Sequence, residues 1–322
     1  MEATRRVVAI GDLNGAIRAL RMLLQTTGLT DRNDRWCGGN AHLVQLGDIF
    51  NRGDGARESL DLLLSLQRPA ANQGGQVSVL LGNHEVMTCL GNETYCTIGE
   101  YLSFASRRDR TAWPNRLQRA AERFEVGLHG GLAAFDPRLR QWMVDHVPGK
   151  SEMRRALGPR GRLGRALRRM PVVAREGTTL FIHGGVSPAW ARLGMDGLNK
   201  AAGDAWASDP DTLGDLPEDS VLIDAEGPLW NRRLAKDDGA LARQRVQSVL
   251  SSLGGDRMVI GHNMTEHLPG GEPGRILLRH GGALCCVDVG IHDSLEPNTW
   301  CALVIDREGG HEHRPDGRRQ LW

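Results

Sequence analysis

Five short polar clusters, each just after an apolar run, carry residues able to hold metal ions or phosphate. Gly11-Asp12-Leu13-Asn14-Gly15 follows Val7 to Ile10, and Gly47-Asp48-Ile49-Phe50-Asn51-Arg52-Gly53 follows His42 to Leu46. Gly82-Asn83-His84-Glu85 follows Val77 to Leu81, His183-Gly184-Gly185 closes Leu180 to His183, and Gly261-His262-Asn263 follows Met258 to Ile260. Taken singly each has a plain explanation, because a strand-end Asp or Asn is usually a turn or a helix cap and a lone His is usually structural. Their order and co-occurrence argue for one site. Carboxylates, amides and imidazoles are ligands for divalent metals, and a guanidinium grips a tetrahedral oxyanion with paired hydrogen bonds that an ammonium cannot form.

The elements that must position these clusters are legible as strands alternating with helices. Two further strand candidates are Leu284 to Val289 and Ala302 to Ile305; helical spacing occurs at Ala16 to Thr27, Ala56 to Leu66 and Leu241 to Leu253. Such alternation predicts a layered α/β fold, in which ligands collect at the carboxyl ends of strands and glycines allow sharp backbone turns there. The stretch from about 91 to 171 breaks the series, being rich in Arg, Trp and helix formers, and predicts an inserted helical cap. With 322 residues, 40% hydrophobic and 25% charged, the chain has the composition of an ordinary globular protein with a large core. No internal repeat or low-complexity linker interrupts it, and the final HEHRPDGRRQLW is expected to be surface or partly disordered.

A net charge of +1 names no partner. Locally, Lys150 to Arg169 holds one Lys and seven Arg against Glu152 alone, either a solvated face or a rim that steers anions. Nucleic-acid binding is a weak third choice for lack of a stacking-aromatic motif. Six cysteines without a CxxC pair point to a reducing compartment. With no apolar run long enough for a signal peptide or a membrane span, a soluble cytoplasmic protein is expected. Pro148-Gly149-Lys150-Ser151 mimics the end of a P-loop, but Val144 stands where its first glycine belongs and no strand precedes it.

The ordered motifs GD, GDxxxRG, GNHE, HGG and GH, with LLGNHEVM, Glu100-Tyr101-Leu102-Ser103-Phe104 and Gly227-Pro228-Leu229-Trp230 followed by Arg232, resemble a known family. It is the metal-dependent phosphoprotein phosphatases within the calcineurin-like metallophosphoesterases, and the bacterial Shewanella-like branch in particular. The resemblance runs from about Arg6 to Gly290. It implies a single domain, 1–322, built as a four-layer α/β/β/α metallophosphoesterase sandwich with the helical cap inserted in it. It further implies two divalent metal ions, with Asp12 on the first, Asp48 bridging both, and Asn83, His183 and His262 on the second. His84 is then the general acid, and Arg52 and Arg232 hold the phosphate oxygens. The implied reaction is hydrolysis of a phosphate monoester, on a phosphorylated protein or a small molecule, by a water acidified between the metals.

Two positions depart from the family pattern of GDxHG and GDxxDRG. Asn14 stands at a metal-ligand position, so the first site becomes all oxygen and is expected to prefer Mn²⁺ or Mg²⁺ over Zn²⁺ or Fe. Asn51 stands where an Asp meets the catalytic His; it accepts a hydrogen bond but brings no charge. That predicts a less protonated His84 and a preference for phosphotyrosine or aryl phosphates, whose leaving groups need the acid least. The competing readings are a diadenosine polyphosphate or nucleotide hydrolase on the same scaffold and a non-catalytic pseudophosphatase that binds phosphoproteins. Asp288 and His292 are possible neighbours of the site, Trp230 a possible wall of it, Cys285 and Cys286 buried packing, and His311 and His313 exposed tail residues.

Overall fold

The computed structural model describes residues 5–126, 136–210, 212–293 and 299–322. Its strands are β1 (Val7–Ile10), β2 (His42–Gln45), β3 (Gln76–Val79), β4 (Val173–Glu176), β5 (Thr179–Ile182), β6 (Arg257–Ile260), β7 (Leu277–Arg279), β8 (Leu284–Cys286), β9 (Ala302–Asp306), β10 (Gly309–Arg314) and β11 (Gly317–Gln320). They form a six-stranded sheet in the order β11-β10-β9-β1-β2-β3 and a five-stranded sheet in the order β4-β5-β6-β8-β7. In the first, β1, β2 and β3 run parallel, and in the second β5, β6 and β8 do. These six are apolar runs of the sequence, and the seventh, Ala302 to Ile305, forms the antiparallel β9. Except at the edge strand β3, where Gln76 is exposed and Ser78 half-buried, the nearly uniform burial of the six is what parallel strands covered on both faces require.

One continuous hydrophobic cluster fills the interior, with Val8, Ile10, Leu43 and Val44 from the first sheet and Phe181, Val259 and Ile260 from the second. The sheets are also tied by polar contacts: His42 of β2 meets Glu176 of β4 at 2.9 Å, and Arg5 pairs with the same carboxylate. The helices beside the sheets include α1 (Ile17–Thr26), α2 (Ala56–Asn72) and α3 (Asn83–Cys89), with α9 (Pro188–Ala191), α10 (Gly194–Ala207), α11 (Arg233–Lys236) and α12 (Ala240–Leu253) later in the chain. The architecture is the layered α/β/β/α arrangement the motifs imply.

Between them run α4 (Ile98–Phe104), α5 (Arg107–Arg123), α6 (Pro137–His146), α7 (Lys150–Leu157) and α8 (Arg162–Leu167), with no strand among the described residues of that stretch. Residues 127–135 of the expected cap lie outside the described residues. α4 packs on α2 and α7, and α7 on α3, so this part presses against the strand ends. The α5 and α6 pair has a small core of its own, Ala120, Ala121 and Leu139, beside a stack of Trp113, Trp142 and His146.

The C-terminal expectation is corrected in part, since β11 is exposed but β10 is not. Residues 309–320 form β10 and β11, and His311 and Glu312 are buried while His313 is half-buried. The polar pattern misleads because burial here rests on ion pairs: Glu312 accepts from Arg275 at 2.7 Å, Arg314 at 2.8 Å and Arg319 at 2.8 Å. The P-loop mimic is likewise a helix start, where Gly149 is left-handed and Lys150 pairs with Glu93 at 3.3 Å.

Candidate active site

Each site cluster sits where a parallel strand ends, and the backbone there is bent hard. Of the nine non-glycine residues with positive φ among the described residues, five are Asn14 (47°), Asp48 (53°), Asn51 (71°), Arg52 (64°) and His262 (61°). Such conformations cost on the order of 1 kcal/mol or more each and persist where the surroundings over-determine them. The surroundings do so visibly. Leu13, Asn14 and Gly15 donate their backbone N–H groups to the carbonyls of Asp48 and Ile49 at 2.8 to 3.0 Å, locking the first two turns together.

The third turn is governed by Glu85, fully buried in the first turn of α3. Its carboxylate reaches back to Gly82 N–H at 2.9 Å as a helix cap and also accepts from Asp48, Ile49 and Phe50 at 2.8 to 3.1 Å. One side chain therefore starts a helix and fixes the turn that carries Asp48. Gly82 cannot be larger, because a Cβ there would run into the Asp48 carboxylate, and a Cβ at Gly261 would run into Asp12.

These turns bring Asp12, Asp48, Asn83, His84, His183 and His262 together as buried side chains. His84 N–H donates to Asp48 Oδ1 at 3.0 Å, and His262 N–H donates to Asp12 Oδ1 at 3.0 Å. His183 presents Nε2 to Asn83 Oδ1 at 3.0 Å and to Asp48 Oδ1 at 3.3 Å, while its Nδ1 meets the Leu46 carbonyl at 2.8 Å. Ligand atoms of Asp48, His183 and His262 all lie within 4.8 Å of one another. Asn14 Oδ1 and His262 Nε2 are buried with no hydrogen-bond partner among the described residues. Buried polar atoms in native proteins are almost always satisfied, so orphaned lone-pair atoms among carboxylates mark a place for a cation.

Electrostatics point the same way. Burial, with Asp288 and Asp48 nearby, pushes the Asp12 carboxyl well above its usual range, although His183 opposes this. Burial and Asp48 also raise Asp288, to about 6. For Asp48, burial is outweighed by the facing His183 and His84 rings, which hold it below the usual range. Burial pulls the His183 ring down, yet Asp48 and Asp12 raise it to about 10, whereas burial and His183 depress His262 to about 2. Three carboxyl groups thus crowd around the His183 ring. The donor set of oxygens and imidazoles fits hard or borderline divalent ions.

A cavity of about 330 Å³ opens over this cluster. Asp12, Asn14, Asp48, His262 and His84 form its floor, and Arg52 and Arg232 stand at its margin. Arg52 stacks over Tyr95, 4.9 Å to the ring centroid, and Tyr95 packs in turn on His84. Arg232 is aimed by the His262 carbonyl at 3.0 Å and Asn263 Oδ1 at 3.2 Å. His84 turns its Nδ1 to Asn51 Oδ1 at 2.8 Å, and burial, with Arg52 opposing Asp48, lowers its basicity. Asp288 and His292 line the same cavity, and Trp230 stands edge-on to His262. Glu85, Tyr95 and Glu100 received no role from sequence reasoning; for Glu85 the signal was present, since Glu at the third position after Gly82 is a capping pattern.

The profile of the calcineurin-like phosphoesterase family matches residues 5–315. The chain is similar to Shewanella-like protein phosphatase 2 of Arabidopsis thaliana, 30% identical over 201 residues that cover 62% of this chain and 51% of the relative. It is similar also to Shewanella-like protein phosphatase 1 of Plasmodium berghei, at 24% identity over 60% of this chain and 42% of the relative, so it spans about half the length of these relatives. Among solved structures, the cold-active protein-tyrosine phosphatase of a psychrophilic Shewanella species superposes with a TM-score of 0.71 at 23% identity, covering 99% of this chain and 80% of that one.

Proposed function

The chain belongs to the calcineurin-like phosphoesterase family, and we propose that it is a metal-dependent phosphatase hydrolysing phosphate monoesters on proteins, with phosphotyrosine and other aryl phosphates preferred. One observation carries this reading above the rest: Arg52, Arg232 and His84 line the same cavity as Asp12, Asn14, Asp48 and His262. Phosphate grip, proton donor and cation seat share one space. The relatives named as protein phosphatases support the substrate class.

Asp12, Asn14 and Asp48 would hold a first divalent ion, and Asp48, Asn83, His183 and His262 a second. Bound there, two such ions polarise a phosphoryl group and acidify water. The all-oxygen first set favours Mn²⁺ or Mg²⁺. Arg52 and Arg232 each offer a planar fork to the phosphate oxygens, fixing the ester so that the leaving oxygen faces His84. With Nδ1 committed to Asn51, the His84 ring has Nε2 left to donate a proton to that oxygen. An amide partner supports the imidazolium less than a carboxylate does, which supports the aryl preference. The cysteine spacing supports a reducing, cytoplasmic setting, and no described helix is long and apolar enough to cross a membrane.

The test is hydrolysis of an aryl phosphate by metal-stripped protein with Mn²⁺, Mg²⁺, Zn²⁺ and Fe²⁺ added back singly, beside an Asp48→Asn control. Turnover restored most by manganese and abolished in the control is expected. Folded protein that binds phosphate and turns over nothing with any metal would make the site a pseudophosphatase.

A further inference from the structure

We propose that Glu100 is a positioning residue for His84, acting through the side-chain amide of Asn51. This rests on the phosphatase reading above. Glu100 is fully buried in the first turn of α4, a helix capped by Thr97, whose Oγ1 accepts from Glu100 N–H at 2.9 Å. One carboxylate oxygen accepts from the Asn51 backbone N–H at 3.0 Å, and the other faces Asn51 Nδ2 at 3.4 Å. Nδ2 also meets Thr88 Oγ1 and Cys96 Sγ, both at 3.2 Å. The Thr88 hydroxyl donates to the His84 carbonyl at 2.8 Å and lies 3.3 Å from Asn51 Oδ1, so it meets both ends of the amide, and Glu100 and His84 are what set its orientation.

The amide therefore has one acceptable orientation. Turned over, its oxygen would face a buried carboxylate and its NH₂ would face His84 Nδ1, losing two favourable contacts and creating a repulsive one. Held as it is, Oδ1 is an acceptor only, and Nδ1 of His84 must carry the hydrogen between them. Nε2 is thereby kept as the atom facing the cavity. Burial raises the Glu100 carboxyl above its usual range while its hydrogen bonds from Asn51 oppose the rise, and its influence on His84 is indirect. It reaches the ring by polarising the amide and by Coulomb attraction weakened with distance. Glu100 also holds the left-handed backbone of Asn51, so one side chain sets both the turn and the amide.

What the acid needs on this account is an acceptor at position 51 held toward His84 Nδ1. The experiment uses the full chain with metal: Glu100→Gln, Asn51→Asp and the double variant, each assayed on an aryl phosphate and a phosphoserine peptide. Glu100→Gln should lower kcat by about ten- to a hundredfold, within the range of a general acid's contribution, with KM unchanged and a larger loss on the alkyl ester. Asn51→Asp alone presents an acceptor to His84 in either orientation and should keep Nδ1 protonated. The double variant keeps that acceptor with a glutamine donating to it, and should recover most of the wild-type kcat. Equal losses on both substrates, or a double variant as poor as the product of the singles, would reduce Glu100 to a structural residue. A second readout stands apart from turnover: the ¹⁵N shifts of the His84 ring should report Nδ1 protonated in the wild type and a mixture in Glu100→Gln. Absent wild-type turnover would sink the phosphatase reading alone, whereas a wild-type ring with Nδ1 bare would sink this inference.

Discussion

Amides stand at two positions of this centre where the family pattern has groups that titrate, and they are bound differently by their neighbours. Asn51 is surrounded on every polar atom, by His84, Thr88, Cys96 and Glu100. Asn14 has its Oδ1 buried at the cavity floor with no hydrogen-bond partner among the described residues. The residue-scale prediction follows from donor chemistry. Asn14→His exchanges a hard oxygen for an imidazole, so zinc and iron affinity should rise about tenfold or more relative to manganese. Competitive metal loading read by elemental analysis checks this, and unchanged selectivity would remove Asn14 from the ligand set.

At the scale of elements, the parallel strands supply precise ends, and short side-chain clamps make those ends into a site. Glu85 alone takes four backbone N–H groups from two turns and keeps Asp48 at a φ of 53°. Replacing it with Gln keeps the shape but turns part of the acceptor into a donor facing other donors. A stability loss of about 1 to 3 kcal/mol is expected in denaturant unfolding, the range for leaving a buried hydrogen-bonding group unsatisfied. Metal affinity should fall with it, since the turn that aims Asp48 loosens. Wild-type stability in Glu85→Gln would mean that the turn is held by the β2 and β3 pairing instead.

Across the whole molecule, the same device anchors the far edge. Glu312, fully buried on β10, gathers Arg275, Arg314 and Arg319, and also takes the Ile276 N–H at 2.9 Å. Burial opposes its ionisation, but Arg314, the Ile276 amide and the other arginines win and lower the carboxyl from 4.5 to about 2. A group depressed in the folded state stabilises the protein above its unfolded pKa, and that contribution drains away as pH falls from about 4.5 towards about 2. It amounts to on the order of 3 kcal/mol. Glu312→Gln should therefore be markedly less stable at neutral pH and should lose less than the wild type on acidification over that window. Thermal unfolding as a function of pH decides it; parallel curves would remove Glu312 from the acid response.

By itself the sequence determined the strand ends and the chemical types placed on them, because both are local. An apolar run of four residues followed by Gly-Asp or Gly-Asn specifies a buried strand and a turn wherever it is packed, and β1, β2, β3, β5 and β6 all begin and end within a few residues of the expected places. What tertiary structure decided is who stands behind those residues. Glu100 meets Asn51 across 49 positions, Glu312 meets Arg275 across 37, and Asp288 arrives beside Asp12 from the opposite sheet. No periodicity encodes such encounters, since a carboxylate bound for the interior looks in sequence like one bound for solvent. Its burial becomes favourable only when the chain delivers the donors that satisfy it.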